Sequence, residues 1–159
     1  MATKVQAKPA ELYEADFYVW AEEQAALLRA RRFDALDLDN LIEEVQGLAD
    51  TKLAAVLSNA AVVIEHLLKL QYSPATDPRN SWRASVREHR RRLWFESTPR
   101  LSQILADRLP ELYVRAELYV RARDDAAASM RDHGEDAAAN ALPATSPYTL
   151  DQITGAWWP

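Results

Sequence analysis

A run of arginines between residues 79 and 92 is the part of the sequence best suited to binding chemistry. The run contains six arginines and one acid, Glu88, so its net charge is about +5. A helix would bring the members spaced by three and four onto one exposed ridge: Arg83, Arg87 and either Arg90 or Arg91. Because guanidinium groups bind phosphate or carboxylate in a bidentate manner, the ridge predicts an anion-binding surface.

Two interpretations of the arginine run stay open. In the first, the ridge binds an anionic partner or a nucleic-acid backbone, with Trp82 available for base stacking. In the second, the arginines pair with acids of neighbouring helices, such as Glu65 or Asp107, and serve the fold. The whole chain has a net charge of −5 and a pI of about 5.2, which makes nucleic acid the less favoured partner.

His66 and Glu88 are the candidate catalytic residues, because a histidine beside a carboxylate can act as a general acid or base. If the helices flanking the loop at 72–80 are antiparallel, His66 lies level with Val86. The polar cluster expected there contains His66, Lys69, Trp82, Arg83 and Glu88. An open cleft at this cluster would favour an enzyme, whereas a sealed and mutually satisfied cluster would be a network that fixes helix register.

The sequence predicts neither a metal site nor a cofactor. It has no cysteine, three histidines and three glycines, and it contains no HxxxH, HExxH or GxGxxG string. His66 and Glu44 stand 22 residues apart in one helical pattern, which is about 33 Å along a continuous helix. The spacing of Asp16 and Glu44 is similar to that in carboxylate-bridged bundles, but the Glu-x-x-His pair of those sites is absent.

Helices must position these residues, because three glycines are too few for the tight turns of a sheet protein. Apolar residues recur at spacings of three and four from Phe17 to Leu28 and through a long segment, about Asp37–Gln71. Gly47 stands inside the long segment, so a break near residues 47–51 is the alternative to one helix. Further helices are predicted from residue 80 or 81, over Leu101–Leu109 after the Thr98-Pro99 start, over Leu109–Met130, and from Thr149.

The expected architecture is an all-α, single-domain bundle of five to six helices around the long helix. Residues 1–12 are predicted to form a disordered N-terminal arm and residues 13–159 the domain. Gly134 is expected to cap the last long helix, and Thr149 with Gln152 has the spacing of a capping box. The terminal Trp-Trp-Pro segment is expected to dock on the bundle, since undocked it would be an exposed patch that invites dimerisation.

Neither a leader nor a membrane span is predicted. Met1 to Pro9 has two lysines without a following apolar run, and no stretch approaches 18 uninterrupted apolar residues. The absence of cysteine agrees with a reducing compartment, so we expect a cytoplasmic protein without a membrane partner.

Seven short motifs follow one another along the chain: Leu12-Tyr13-x-x-Asp16-Phe17-Tyr18-x-Trp20, Arg32-Phe33-Asp34, Leu36-Asp37-x-Asp39-Asn40-Leu41-Ile42-Glu43-Glu44, His66-Leu67-Leu68-Lys69-Leu70-Gln71-Tyr72, Ser81-Trp82-x-x-Ser85-Val86-x-Glu88-x-Arg90-Arg91, Ser146-Pro147-Tyr148-Thr149-Leu150 and Trp158-Pro159. In this order they resemble the bacterial domain-of-unknown-function family 29. The resemblance covers about Leu12 to Pro159 and departs from the family at Leu70, where Trp is expected, and in the alanine-rich stretch from Asp136. It implies an all-α fold with a long central helix, and it implies no activity.

The sequence therefore favours a bacterial, cytoplasmic binding or interaction module over an enzyme. The predicted anion- or partner-binding surface consists of Lys69, Trp82, Arg83, Arg87, Arg90 and Arg91. Its partner is an unknown protein or a second copy of the chain. One alternative is a hydrolase or transferase that uses His66 and Glu88 on an anionic substrate held by Arg83 and Arg87. Another is an antitoxin-like regulatory partner of a neighbouring gene product.

Overall fold

The computed structural model of the protein describes residues 9–96, 98–100, 103 and 112–159, and every element in these ranges is helical. The helices are α1 (Pro9–Ala15), α2 (Phe17–Arg29), α3 (Leu38–Tyr72), α4 (Arg79–Glu96), α5 (Leu112–Asp132), α6 (Asp136–Asn140) and α7 (Leu150–Thr154), with a 3-10 turn at Phe33–Ala35. The prediction of an all-α bundle with a long central helix is confirmed. The predicted helix Leu101–Leu109 and Asp107 lie outside the described residues, apart from the isolated Gln103.

Helix α3 passes through Gly47 without a break, so the single-helix prediction holds over 35 residues. Gly47 makes no close helix contact, because a Cβ atom built there would meet nothing within 4 Å. The chain divides into two compact units, Met1–Thr51 and Lys52–Pro159, and α3 contributes to both. The Gly47 region therefore lies close to the division between the units.

In the first unit, Asp37 organises the turn between α2 and α3. Its Oδ2 atom accepts hydrogen bonds from Trp20 Nε1 at 3.1 Å and from Asn40 Nδ2 at 2.8 Å. Its backbone N–H donates to Gln24 Oε1 at 2.9 Å, and Trp20 and Gln24 are both buried. These bonds tie the residue before α3 to two buried side chains of α2 and to Asn40 in the first turn of α3.

Two details of the first unit differ from the sequence-based expectation. Helix α1 begins at Pro9, so the last four residues of the predicted arm are helical, while residues 1–8 lie outside the described part of the chain. Phe17 and Leu28 were predicted to share the apolar stripe with Trp20, yet they are exposed. Fewer residues of α2 are therefore buried than its apolar periodicity predicts.

The second unit contains the main hydrophobic core. The second half of α3 contributes most of it, with α4, α5 and α7 packed around. Its fully buried members include Val63, Leu67 and Leu68 of α3, Val86 and Leu93 of α4, Tyr119, Ala122 and Ala126 of α5, and Tyr148 and Ile153 near α7. The alanines of α5 allow close helix approach, as their spacing of four residues places them on one face.

Capping residues fix both ends of the connection from α5 to α7. Gly134 has φ +76°, and its N–H donates to Arg131 O while the Glu135 N–H donates to Met130 O, which is the Schellman arrangement. Thr149 and Gln152 form the predicted capping box at the start of α7. The helix stop at Gly134 and the final short helix are thus confirmed.

Helix α3 is also the most apolar of the described helices by sequence. An 18-residue stretch of it reaches a mean hydropathy of 1.6, enough in length and composition to cross a bilayer, and 56% of that stretch is buried inside the protein. A buried core helix of a soluble protein has the same properties, so this observation is weak evidence for a membrane span.

Candidate functional site

The six arginines of α4 have three different environments. Arg79 Nη2 donates to the carbonyl of Leu70 at 2.7 Å and so caps the end of α3. Arg91 and Arg92 both pair with Glu88, at 2.9 and 3.0 Å, and all three side chains are substantially exposed. The remaining three arginines, Arg83, Arg87 and Arg90, form no ion pair with any carboxylate among the described residues.

Arg90 holds the C-terminal segment against α4. Its Nε donates to Ile153 O at 2.9 Å, and its Nη2 donates to Gln152 O at 2.6 Å and to Trp157 O at 2.7 Å. Its guanidinium carbon lies 5.0 Å from the centre of the Trp158 ring, a cation–π distance. Only 9% of Arg90 is exposed, so of the two residues given for the third position of the exposed ridge, Arg90 is buried and Arg91 is exposed. Burial also lowers its pKa from the usual value.

Arg83 and Arg87 are exposed, and neither has a hydrogen-bond or ion-pair partner in the described part of the chain. They stand one turn apart, which puts their Cβ atoms about 6 Å from each other on the same helix face. The predicted pairing with Glu65 is not found, because Glu65 pairs with Lys69 at 2.6 Å. These two arginines are therefore the cations of α4 that remain available for a ligand.

An open groove of about 800 Å³ runs along these arginines and the C-terminal segment. We call it the arginine groove, and its lining residues are Arg83, Arg87, Arg90, Arg91, Thr154, Gly155, Ala156 and Trp158. Gly155 is required in this wall, because a Cβ atom there would lie 2.5 Å from the carbonyl oxygen of Asp151. The wall formed by residues 154–158 was absent from the sequence-based prediction, since nothing in a single sequence links it to α4.

The structure does not unite the proposed catalytic pair. Glu88 accepts hydrogen bonds from Arg91 and Arg92, and these bonds hold the pKa of its carboxyl below the ordinary value. His66 Nδ1 bonds the carbonyl of Val62, one turn earlier in α3, at 2.9 Å. No hydrogen bond joins His66 to Glu88 within the described ranges, so the geometry gives no support to an acid–base pair at this position.

His89 is the histidine that joins α4 to α3, and sequence reasoning missed it. Its Nδ1 lies 2.7 Å from Asn59 Oδ1, and both residues are largely buried. Burial lowers the pKa of His89, as do Arg92 and His66, while Glu88 and Glu65 oppose the shift. A network that fixes helix register was one interpretation of the predicted polar cluster. The contact between His89 and Asn59 is of this kind, although other residues form it.

Lys69 and Trp82, predicted to share the arginine surface, line a separate pocket of about 350 Å³. We call it the Lys69 pocket, and its lining residues are Lys69, Ala75, Pro78, Trp82, Ser129, Met130, His133 and Glu135. Lys69 is buried, with its Nζ 2.6 Å from Glu65 Oε1 and 6.0 Å from the centre of the Trp82 ring. Of the five residues in the polar cluster expected from the sequence, Lys69 and Trp82 line this pocket, Arg83 lines the arginine groove, and His66 and Glu88 line neither.

Potential metal ligands do not gather in this structure. Within residues 9–96, 98–100, 103 and 112–159, no three side chains of His, Asp or Glu lie close enough together to hold an ion.

Comparison with known proteins gives a family and no activity. Residues 12–158 match the family model described as "Domain of unknown function DUF29". No curated protein and no solved structure matches the chain. The match spans both compact units and includes the whole lining of the arginine groove.

Proposed function

Because the chain belongs to the DUF29 family, whose description names no activity, we propose a function from the geometry of the site. The protein is a binding module, and its arginine groove holds an acidic segment of a partner protein. One observation carries this proposal. Arg83 and Arg87 are exposed, one turn apart and without partners among the described residues, over a groove of about 800 Å³. Each guanidinium can form two parallel hydrogen bonds with a carboxylate.

The wall of the groove that contains the buried Arg90 also favours a negatively charged ligand group. Arg90 lies in the groove wall with its charge surrounded by carbonyl groups and the Trp158 ring, and no carboxylate pairs with it in the described structure. Arg91 shares Glu88 with Arg92, so this part of α4 keeps an excess of positive charge. A negatively charged ligand group gains most binding affinity where excess positive charge is already held in place before binding.

An acidic protein segment fits the groove better than a nucleic acid does. Duplex DNA presents a charge about every 1.7 Å, and strong backbone binders neutralise about 6–10 phosphates. The groove offers two exposed arginines without partners, and the whole chain has a net charge of −5, which repels a long polyanion. A regulatory partner encoded by a neighbouring gene is one protein that would satisfy this proposal.

The proposal is tested with fluorescein-labelled hexaglutamate and random duplex DNA, both titrated by anisotropy at low and moderate salt. We expect saturable peptide binding that weakens with salt, and a loss of at least about tenfold in the variant R83Q/R87Q, since two bidentate contacts disappear. The matched control is R121Q, because Arg121 is an exposed arginine of α5 outside the groove.

Two results would contradict the proposal. If R121Q lost about half as much binding free energy as R83Q/R87Q, in proportion to the one charge removed instead of two, only overall charge would matter. Tighter binding of duplex DNA than of hexaglutamate at the same salt concentration would identify a nucleic acid as the ligand class instead.

A further inference from the structure

One residue in the lining of the Lys69 pocket, Glu135, has a buried carboxylate oxygen without a hydrogen-bond partner in the described part of the chain. Glu135 Oε2 is buried, and it has no hydrogen-bond partner among the described residues. Glu135 is one of the eight residues that line this pocket. A buried acceptor without a donor destabilises the folded protein, so a ligand that donates a hydrogen bond there would be favoured.

The backbone fixes Glu135 in this place. Gly134 adopts φ +76°, a conformation that strongly favours glycine, and turns the chain out of α5. The Glu135 N–H then donates to Met130 O at 2.9 Å, and its carbonyl accepts from Ala139 N at 3.0 Å as α6 begins. Both backbone groups of Glu135 are therefore bonded, so the helix-ending motif fixes the backbone from which this lining residue projects.

Charge counting shows what the pocket lacks. Lys69 is already neutralised by Glu65, at 2.6 Å. His133 Nδ1 lies 2.7 Å from Ser129 O, one turn earlier in the chain, and His133 forms no ion pair with Glu135 among the described residues. The Glu135 carboxylate forms no ion pair among the described residues, and the group that would complement it is a cation that can donate a hydrogen bond.

The rest of the lining is suited to an organic cation. The Trp82 ring offers a face that already attracts the Lys69 ammonium at 6.0 Å, and Met130 and Pro78 provide apolar surface. The volume of about 350 Å³ is that of a small-molecule site rather than of a bare metal ion. We propose that the Lys69 pocket binds a small organic cation, namely an ammonium group on a short alkyl chain.

The test compares two probes of similar size and opposite charge, n-butylammonium and butyrate, in NMR titrations of the ¹⁵N-labelled full chain. We expect saturable shifts of the Glu135 and Gly134 amides and the Trp82 indole with butylammonium and none with butyrate. The variant E135Q keeps the shape and removes the charge, so it should weaken butylammonium binding at least tenfold. D136N is the matched control, because Asp136 is the exposed neighbouring acid outside the pocket, and it should change the affinity less than twofold.

Three results would overturn the proposal. Equal binding of butyrate would show that charge does not select the ligand, and this comparison needs no variant. Equal affinity in E135Q would remove Glu135 from the site. An absence of saturable shifts with butylammonium would show that the pocket holds only solvent. None of these results bears on the arginine groove, which is tested with an anion.

Discussion

The two sites on α4 carry opposite excess charge, although both were predicted as one basic surface. In the arginine groove, Arg83, Arg87 and Arg90 have no carboxylate partner among the described residues. In the Lys69 pocket, the lysine is paired with Glu65 and the group without a partner is Glu135. The comparison teaches that the charge available to a ligand is set by internal pairing and not by the number of charged residues in a segment.

A second difference lies between neighbouring arginines of the groove itself. Arg87 is exposed, whereas Arg90, three residues later, is 9% exposed and bonded to three carbonyls. The pattern follows the helix period, because Val86, Arg90 and Leu93 share the buried face of α4. Thus Arg90 stabilises the fold, while the side chain of Arg87 is accessible to a ligand.

The largest expected effect is that of Arg90→Met, which separates these two kinds of arginine. The change removes three hydrogen bonds from a charged group and leaves carbonyls of the C-terminal segment unsatisfied. We expect a loss of about 3 kcal/mol in the free energy of unfolding, measured by urea denaturation. Arg87→Met is the control and should change stability by less than about 0.5 kcal/mol. Similar losses in both variants would end the distinction between a structural and a free arginine.

A smaller effect is expected from Lys69→Met, which breaks the pair inside the Lys69 pocket. Glu65 would keep its charge in a site where its side chain is only 18% exposed, so we expect a loss of about 2 kcal/mol in urea denaturation. Adding Glu65→Gln should recover most of that loss, because the uncompensated charge disappears. A double variant no more stable than Lys69→Met alone would show that packing, not pairing, explains the effect.

The smallest expected effect is a pH dependence from His89 on the buried side of α4. Its pKa is lowered in the folded protein, so the unfolded chain binds the proton more tightly and unfolding takes up a proton at acidic pH. This contribution to stability is present above the usual histidine pKa of about 6.5 and is lost as the pH falls below it. Thermal melts from pH 7.5 to 5.5 should show the decline, and His89→Gln should flatten it. An unchanged slope in His89→Gln would contradict the assignment of the decline to His89.

Local sequence signals predicted the helices well, and they did so through particular residues. The apolar periodicity predicted α3 within one residue at each end, Gly134 predicted the C-terminal end of α5, and the Thr149–Gln152 pair predicted the start of α7. These signals act within one or two helical turns, so a single sequence contains them. The buried stripe of α2 was overestimated, because periodicity reports which face is apolar and not how much of it is covered.

The sites were predicted less well because they depend on long-range contacts. Arg83 and Arg87 were recognised from their spacing, but the partner of Arg90 lies more than 60 residues away in the C-terminal segment. Lys69 and Trp82 were placed correctly near each other, yet their pocket is completed by Ser129 to Glu135, which no local motif connects to α4. Glu88 was assigned to His66 although Arg91 and Arg92, one turn away, were available in its own helix.

One NMR experiment tests the central claim, that the two sites of the second unit have opposite charge preference. A single ¹⁵N-labelled sample is titrated first with unlabelled hexaglutamate and then with n-butylammonium. We predict that the peptide shifts resonances of the groove, at Arg83, Arg87 and Gly155, and leaves Gly134 and Glu135 unchanged, while the amine does the reverse. Shifts of the same residues by both ligands, or peptide shifts centred on Glu135, would contradict it.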